Sequence, residues 1–125
     1  EEIIEIKTDA ILGPEKTTDC QKALLKFMHT KNIVIETLPT SNIRIGHHRN
    51  FRTYHLWQWL KWHQDKLPVP PIVIGTDDTG IFATNIFNEY ANLYCYLNGG
   101  GKMSAKNTLQ TINMLESNSL KYRFN

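Results

Sequence analysis

The chain has 125 residues, 41% of them hydrophobic and 21% charged, which fits one ordinary globular domain. A formal net charge of +2 without any block of like charges gives no indication of a nucleic-acid partner. No run of about 18 apolar residues, signal peptide or lipidation motif occurs, so we expect a cytoplasmic protein without a membrane partner.

Three elements are predicted before residue 30. Residues 1–6 fit the end of a helix, and residues 9–12 fit a short strand. A helix is then expected from a cap at Thr18 or Asp19 to His29. The apolar side chains that share one face of this helix are Cys20, Leu24, Phe27 and Met28.

The middle of the chain predicts a buried strand and an aromatic helix. The β-branched run at 33–35 is typical of a strand buried on both faces of a parallel sheet. A polar loop at 41–52 leads to a helix at about 53–65. This helix has more aromatic surface than one core-facing stripe buries, which indicates either dense packing or an interface with another subunit or further chain. Its aromatic residues are Tyr54, Trp57, Trp59 and Trp62.

The proline-rich stretch 67–71 ends that helix and leads into a third strand at 72–76. A helix is expected over 81–97, stopped by the glycines at 99–101, and Ser104 is expected to cap a last helix. The apolar positions at helical spacing are Phe82, Ile86, Tyr90, Leu93 and Leu97 in the first helix, and Leu109, Ile112 and Leu115 in the second.

The cysteines and the first residue lead to two further expectations. Cys20 and Cys95 have no C-x-x-C spacing, and we expect both as buried, reduced thiols. The chain does not begin with Met, which we interpret as the sign of an excised or processed fragment.

Alternation of strands and helices predicts the fold class and a candidate site. About three parallel strands with flanking helices predict an α/β sheet, whereas a closed barrel needs eight strands. Thr76-Asp77-Asp78 follows an apolar strand, at the end where α/β barrels carry their chemistry. Asp and Thr are also common in turns and as helix N-caps, so either acid could simply cap the next helix.

Several motifs, in this order and spacing, resemble the carboxyl-terminal part of the adenosine deaminase family. Glu36 to Asn42 resembles the family's "E-x-C-P-x-S-N" strand end, Thr76 to Asp78 its "T-D-D-P" strand end, and Glu89-Tyr90 its "E-Y" helix. The segments 7–13 and 115–124 resemble the region entering the "G-H-G" strand and the terminal region of the family.

The resemblance implies that residues 1–125 form one carboxyl-terminal fragment of a (β/α)8 TIM barrel, a partial barrel completed by self-association or by missing chain. It also implies a zinc-dependent hydrolase that deaminates adenosine or an adenine nucleotide, with Asp77 as a metal ligand and Asp78 as a contact of the purine ring. We expect Ser41 and Asn42 to tie the loop after the second strand in place. Glu89 is expected to pack a helix, as is Tyr90.

Departures from the family pattern leave a second interpretation open. The family's "H-x-H", a later His and the proton-shuttling Glu are absent from this sequence. Pro14 stands where the family has the catalytic His of "G-H-G", and proline offers no donor, acceptor or charge in its ring. We therefore assign no catalytic residue within the chain. The alternative is a deaminase-like domain without catalysis, retained for nucleotide binding or assembly.

The histidines do not predict a metal site of their own. His47 and His48 are adjacent, and His55 and His63 are not an i, i+4 pair. We expect zinc in the intact parent protein but none stably bound to the isolated chain. Because a slice of a barrel exposes its sheet edges, we also expect a homo-oligomer.

Overall fold

A computed structural model describes residues 13–46, 48, 50–99 and 103–123. A single 3-10 turn, Phe51–Thr53, stands between the second and third helices. The helices and strands, labelled in chain order, are α1 Pro14–Thr30, β1 Ile35–Thr37, α2 Pro39–Ile45, α3 Leu56–Gln64, β2 Ile72–Ile74, α4 Thr79–Phe82, α5 Ile86–Asn98 and α6 Ala105–Lys121. The helix end predicted at 1–6 and the strand predicted at 9–12 lie outside the described residues.

The sheet of the described residues consists of β1 and β2, which run parallel. Their register places Ile35 opposite Ile72 and Thr37 opposite Ile74. Gly75 N donates to Thr37 O at 3.0 Å and extends the pairing past the end of β2. The described part of the chain is therefore a helix-rich α/β fold that contains two of the three predicted strands, the other lying outside the described residues, and an eight-stranded barrel remains an expectation from the resemblance.

The two faces of this sheet have different environments. Thr37, Ile72 and Ile74 share one face by register and are buried against the helices. On the other face, Glu36 and Val73 line an open cavity of about 500 Å³. The prediction that the strand at 33–35 is buried on both faces is wrong, because Ile33 is 40% exposed and the strand itself begins at Ile35.

Helix α6 covers the outer edge of β2. Pro71 O and Gly75 N pair with β1, so the polar backbone groups of Ile72 and Ile74 point away from it. Asn118 Nδ2 donates to Ile72 O at 3.1 Å, and Ile74 N donates to Ser119 Oγ at 3.1 Å. Two polar side chains of one helix thus satisfy a strand edge that would otherwise be open to pairing.

Packing explains the aromatic helix α3. Leu56, Leu60 and Trp62 are buried in the core together with leucines of α5 and α6. The ring of Trp57 stacks on Tyr96 of α5, with ring centroids 4.0 Å apart and planes 16° apart. Of the two interpretations of the tryptophan-rich helix, dense packing is the one that this arrangement supports.

Helix α1 differs from its prediction in both start and face. It begins at Pro14, since proline at the first helical position loses no hydrogen bond and has a suitable φ. Its buried residue is Leu25, whereas Leu24 is 57% exposed and Phe27 56% exposed. Cys20 and Cys95 are both exposed, so the prediction of buried thiols is wrong.

Two other boundaries differ from the sequence patterns. The loop predicted at 41–52 contains most of α2, and the helix predicted over 81–97 is broken into α4 and α5. Ala83 adopts a left-handed φ of 47°, and Asn85 caps α5 by accepting from Asn88 N at 2.9 Å. The predicted cap of α6 is confirmed, since Ser104 Oγ accepts from Asn107 N at 3.2 Å. None of the helices in the described ranges combines the length and apolar character that a membrane crossing requires.

Candidate functional site

The segments that follow β1 and β2 leave the sheet side by side, and we call residues 37–41 and 75–78 the strand-end site. A direct hydrogen bond joins the two segments: Ser41 Oγ donates to Asp77 Oδ2 at 2.6 Å. Ser41 is only 1% exposed, whereas Asp77 is exposed. The buried Ser41 hydroxyl therefore orients one oxygen of the solvent-facing Asp77 carboxylate. The loop-tying role expected of Ser41 thus extends to Asp77.

Asp77 has an unusual backbone conformation. Its φ is 61°, in the left-handed region that aspartate tolerates better than most residues other than glycine. In this conformation Asp77 Oδ1 accepts from Asp78 N at 2.8 Å. Each carboxylate oxygen thus receives one donor, and because an ionised carboxylate has about four lone-pair sites, it can still accept a further ligand.

Asp78 acts as a helix cap. Its Oδ1 accepts from Ile81 N at 2.8 Å, at the first turn of α4. The capping interpretation is therefore confirmed for Asp78, while Asp77 is engaged instead with Ser41 and the Asp78 amide. Both acids lie at the carboxyl end of β2 and are exposed.

Gly75 allows the two strand ends to approach each other. A Cβ atom at this position would lie 2.6 Å from Leu38 Cδ2 and 2.8 Å from Glu36 Oε1. The absence of a side chain therefore brings Leu38 and the Glu36 carboxylate against the chain just before Asp77. This role of Gly75 is not among the sequence-based predictions, although a glycine directly after a strand is a signal of close approach.

Glu89 is a buried link beneath the strand-end site. It is 0% exposed, and its Oε1 accepts from Thr84 Oγ1 at 2.6 Å while its Oε2 accepts from Thr40 N at 3.1 Å. Thr40 lies in the first turn of α2, where backbone N–H groups lack partners in the helix and a negative charge is favourable. Glu89 thus fixes the start of α2 to α5, which is more specific than the packing role that we expected.

Tyr54 lies behind the end of β1 and is almost fully buried. Its hydroxyl is hydrogen-bonded to the Thr37 hydroxyl. Burial raises the pKa of Tyr54 above its ordinary value of 10.0, the hydrogen bond from Thr37 opposes this, and the charge of Glu89 adds to the increase. The neutral phenol is therefore the form that this environment favours.

Two histidines that are seven residues apart come together beside Tyr54. His48 Nε2 lies 3.2 Å from His55 Nδ1. Burial, followed by the charge of His48, lowers the pKa of His55. The sequence pattern predicts no such pair, because a separation of seven residues does not by itself indicate proximity when a turn intervenes. His47 lies outside the described residues.

The strand-end site does not form a zinc centre by itself. Among the described residues, no three His, Cys, Asp or Glu side chains form a group that could hold a metal ion. Asp77 can supply one oxygen ligand, whereas zinc sites have three or four protein ligands. Pro14 is the first residue of α1 and its ring has no ligand atom. The described residues therefore fit a contribution to a zinc site and not a complete one.

Comparisons with known proteins support a relationship over part of the chain. No protein-family model matches. The chain is 29% identical over 75 residues, 60% of its length, to adenosine deaminases of Plasmodium vivax (strain Salvador I) and Plasmodium cynomolgi (strain B). It is 36% identical over 63 residues, 50% of its length, to an adenosine deaminase-like protein of Drosophila pseudoobscura pseudoobscura. The matched segments span 19% of each Plasmodium protein and 17% of the Drosophila protein. The chain thus has a partial relationship to the adenosine deaminase family.

Proposed function

We propose that this chain contributes the strand-end site of a zinc-dependent hydrolase that deaminates adenosine or an adenine nucleotide. In this proposal Asp77 is one ligand of the zinc ion and Asp78 contacts the purine ring. The observation that supports it most directly is the hydrogen bond from buried Ser41 to exposed Asp77. The partial relationship to adenosine deaminases supplies the reaction class.

The geometry of Asp77 suits a metal ligand that is oriented before the ion binds. A carboxylate that receives hydrogen bonds from neighbouring groups has a restricted orientation, and such supporting contacts raise metal affinity. Asp77 has two, from Ser41 Oγ and from Asp78 N, and its left-handed backbone directs the turn that makes the second one possible. A bound zinc ion supplies hydroxide from water near neutral pH. The other ligands must come from residues outside the described ranges.

Asp78 would combine two roles. One carboxylate oxygen caps α4, which fixes the side chain next to Asp77. An exposed carboxylate in this position can accept a hydrogen bond from a protonated ring nitrogen of the substrate. Because a cap requires only a short acceptor, whereas the proposed substrate contact requires the acid, the two roles respond differently to substitution by Asn or Ser.

The alternative is a deaminase-like domain that binds a nucleotide or supports assembly without catalysis. The observation that favours it is Pro14, which starts α1 and carries no group that transfers a proton. Under this alternative, Asp78 and the cap of α4 are retained for structure alone.

The deciding experiment measures adenosine-to-inosine turnover and zinc content of the full-length protein. We expect Asp77→Ala to lower the zinc content and abolish turnover, and we expect Asp78→Asn to retain zinc and the helical cap but to raise KM. Asp19→Ala is the matched control, because Asp19 is an exposed acid on α1 away from the strand ends. This variant should behave as the wild type.

Two results would contradict the proposal. A metal-free, inert protein that still binds adenosine would favour the non-catalytic alternative. Zinc content and turnover that survive Asp77→Ala would show that Asp77 is not a ligand, whatever the reaction is.

A further inference from the structure

A second group of chemically capable side chains lies where the stretch after α2 meets the start of α3. We propose that His48 Nε2 and His55 Nδ1 together bind a divalent transition-metal ion of the kind that prefers imidazole, such as Zn²⁺ or Cu²⁺. The site shares no ligand with the one proposed around Asp77, and both of its ligands belong to the described part of this chain.

The separation of the two nitrogens fits a shared ion. Zinc binds histidine nitrogens at about 2.0 to 2.1 Å, and a tetrahedral angle then places two such nitrogens about 3.3 to 3.4 Å apart. The observed distance between His48 Nε2 and His55 Nδ1 is 3.2 Å. The same distance also suits a single proton held between two neutral rings, so the occupant is either that proton or a metal ion that displaces it.

Neighbouring aromatic rings hold both imidazoles in place. The ring of His55 lies between those of Tyr54 and Trp59, with both centroids 4.4 Å away. The ring of His48 meets Tyr54 edge-on, with a centroid distance of 5.2 Å and an interplanar angle of 87°. Because Tyr54 is itself buried and hydrogen-bonded to Thr37, an ion would find ligands that need little ordering.

The environment of His55 also suits a metal ligand. Histidine binds metals through an unprotonated nitrogen, so a group that stays neutral near pH 7 is ready to bind. Burial and the charge of His48 lower the pKa of His55.

The number of ligands sets the expected character of the site. No third His, Cys, Asp or Glu joins the two histidines among the described residues. Water or small molecules would therefore fill the other positions, and the ion should exchange readily. For nitrogen ligands, copper binds more tightly than zinc, so we expect Cu²⁺ to exceed Zn²⁺ in affinity. This proposal departs from the sequence-based expectation that the isolated chain binds no metal stably.

An ion at this position would join the stretch after α2 to α3. His48 lies in the connection that follows α2, and His55 is the N-cap residue of α3. Metal bound only to the folded protein raises its stability in proportion to the logarithm of the metal concentration. We therefore expect saturating Zn²⁺ to raise the thermal midpoint of unfolding.

The test is isothermal titration calorimetry of the purified protein with ZnCl₂ and with CuCl₂, at pH 7.5 and again at pH 5. We expect His48→Ala and His55→Phe each to weaken binding at least tenfold, because the phenyl ring keeps the packing against Tyr54 and Trp59 but has no nitrogen. His63→Ala is the matched control, since His63 is an exposed histidine near the end of α3. Affinity should fall at pH 5, where protons compete for the nitrogens.

Several outcomes separate this site from the proposed deaminase site. Asp77→Ala should leave the histidine-dependent binding unchanged, so failure of the zinc-hydrolase proposal would not affect it. The inference is overturned if neither metal binds, if His48→Ala and His55→Phe bind as the wild type does, or if His63→Ala causes the larger loss. Circular dichroism of each variant distinguishes lost ligands from lost fold, and His48→Asn replaces His48→Ala if the alanine variant does not fold.

Discussion

Asp77 and Ser41 show how one buried hydroxyl can determine the orientation of an exposed acid. The hydroxyl comes from α2 and the acid follows β2, so the hydrogen bond between them joins segments that are far apart in the chain. Two features make the contact possible: the left-handed backbone of Asp77 and the lack of a side chain at Gly75. The orientation of the carboxylate is therefore a property of the strand-end site and not of Asp77 alone.

Removing this hydroxyl should cost stability and, in an active protein, metal affinity. Hydrogen bonds to charged groups contribute about 1.5 to 3 kcal/mol, and because Asp77 is exposed we expect Ser41→Ala to lower the free energy of unfolding by about 1 to 2 kcal/mol. If Asp77 binds zinc, the loss of its supporting contact should weaken zinc binding about 10- to 100-fold. Urea unfolding and zinc titration measure the two effects.

Ser117→Ala is the control for Ser41→Ala, because Ser117 is an exposed serine on α6. We expect little change in this variant. Unfolding curves for Ser41→Ala and Ser117→Ala that coincide with the wild-type curve would show that the hydrogen bond to Asp77 contributes nothing measurable.

The buried Tyr54 phenol should make the fold sensitive to alkali. Since burial raises its pKa in the folded state, the neutral form contributes stability that is fully present below pH 10.0, the ordinary pKa, and is lost as the pH rises above it. Tyr54→Phe should therefore make the unfolding free energy fall less steeply above pH 10. At neutral pH the same variant should lose about 1 to 3 kcal/mol, because the buried Thr37 hydroxyl is left without its partner.

Denaturant unfolding at several pH values, together with ultraviolet detection of phenolate, tests this prediction. Burial also raises the pKa of Tyr90, so the Phe variant should retain part of the alkaline loss. Parallel pH profiles for the wild type and Tyr54→Phe would contradict the role assigned to Tyr54.

At the scale of whole elements, α6 has two functions in the fold. Its buried residues, among them Leu115, pack in the core, and the side chains at 118 and 119 satisfy the outer edge of β2. Ser119 Oγ also donates to Leu115 O at 3.0 Å and lies 3.2 Å from the Tyr90 hydroxyl. The hydrogen bonds that satisfy the edge of β2 therefore depend on how α6 is rotated about its own axis, because this rotation decides which of its side chains point at β2.

Substitutions on this edge should destabilise the protein more than their small size suggests. Ser119→Ala leaves the Ile74 N–H without an acceptor, and an unsatisfied buried group costs about 1 to 3 kcal/mol. Asn118→Leu should act similarly on the Ile72 carbonyl. Asn113→Ala, at an exposed position of the same helix, is the control.

Hydrogen exchange of the Ile74 amide gives a local readout of the edge. We expect this amide to exchange faster in Ser119→Ala than in the wild type. Unchanged exchange in Ser119→Ala would show that the edge finds another partner.

The sequence predicts those elements whose local signals and packing agree. Ser104 caps α6 as expected, and the apolar run before Thr76 forms a strand that pairs in parallel. Local signals failed where tertiary contacts decide. The helix α2 has no side-chain cap of its own, and its Thr40 N–H is satisfied by Glu89, which is 49 residues away. The hydrophobic pattern over residues 24–28 likewise predicts an apolar face of α1, but it does not indicate which side of the helix the rest of the chain covers.

The candidate site was predictable to a similar degree. Asp77 and Asp78 could be placed at a strand end from the apolar run before them, and their capping role could be anticipated for one of the two. The hydrogen-bond partner of Asp77 could not be predicted, because the distance between Ser41 and Asp77 depends on the register of β1 and β2. The contact between His48 and His55 likewise depends on the turn at Phe51–Thr53, which no clear sequence signal predicts.

At the scale of the whole molecule, apolar surface remains exposed in several places. Phe87 is 82% exposed, and other large apolar side chains, on α1, α2 and α4, are also open to solvent. The outer edge of β1 pairs with no other strand among the described residues, and the adjacent sheet face lines the cavity of about 500 Å³. Exposed apolar surface together with an open strand edge favours association with another polypeptide.

We expect the isolated chain to self-associate through the open sheet face. Sedimentation velocity over a concentration series should show a weight-average mass that increases with concentration. Val34→Glu should reduce this association, because Val34 lines the open face and a second carboxylate in the same cavity as Glu36 would be covered on assembly. Phe87→Ser changes an exposed apolar residue elsewhere and should have a smaller effect. A sharp monomer peak at every concentration would count against the prediction.

The position of Glu36 in β1 gives this open face a chemical requirement. Its carboxylate stands in the middle of a strand, on the side that lines the cavity, and Arg123 lines the same cavity. Removing a carboxylate from water without a compensating charge or donor costs several kcal/mol. Purely apolar surfaces would therefore dock poorly here wherever Arg123 does not reach Glu36, and a covering surface that presents a cation or an N–H group opposite Glu36 is favoured. The Glu36 carboxylate thus restricts which surfaces can cover the apolar sheet face.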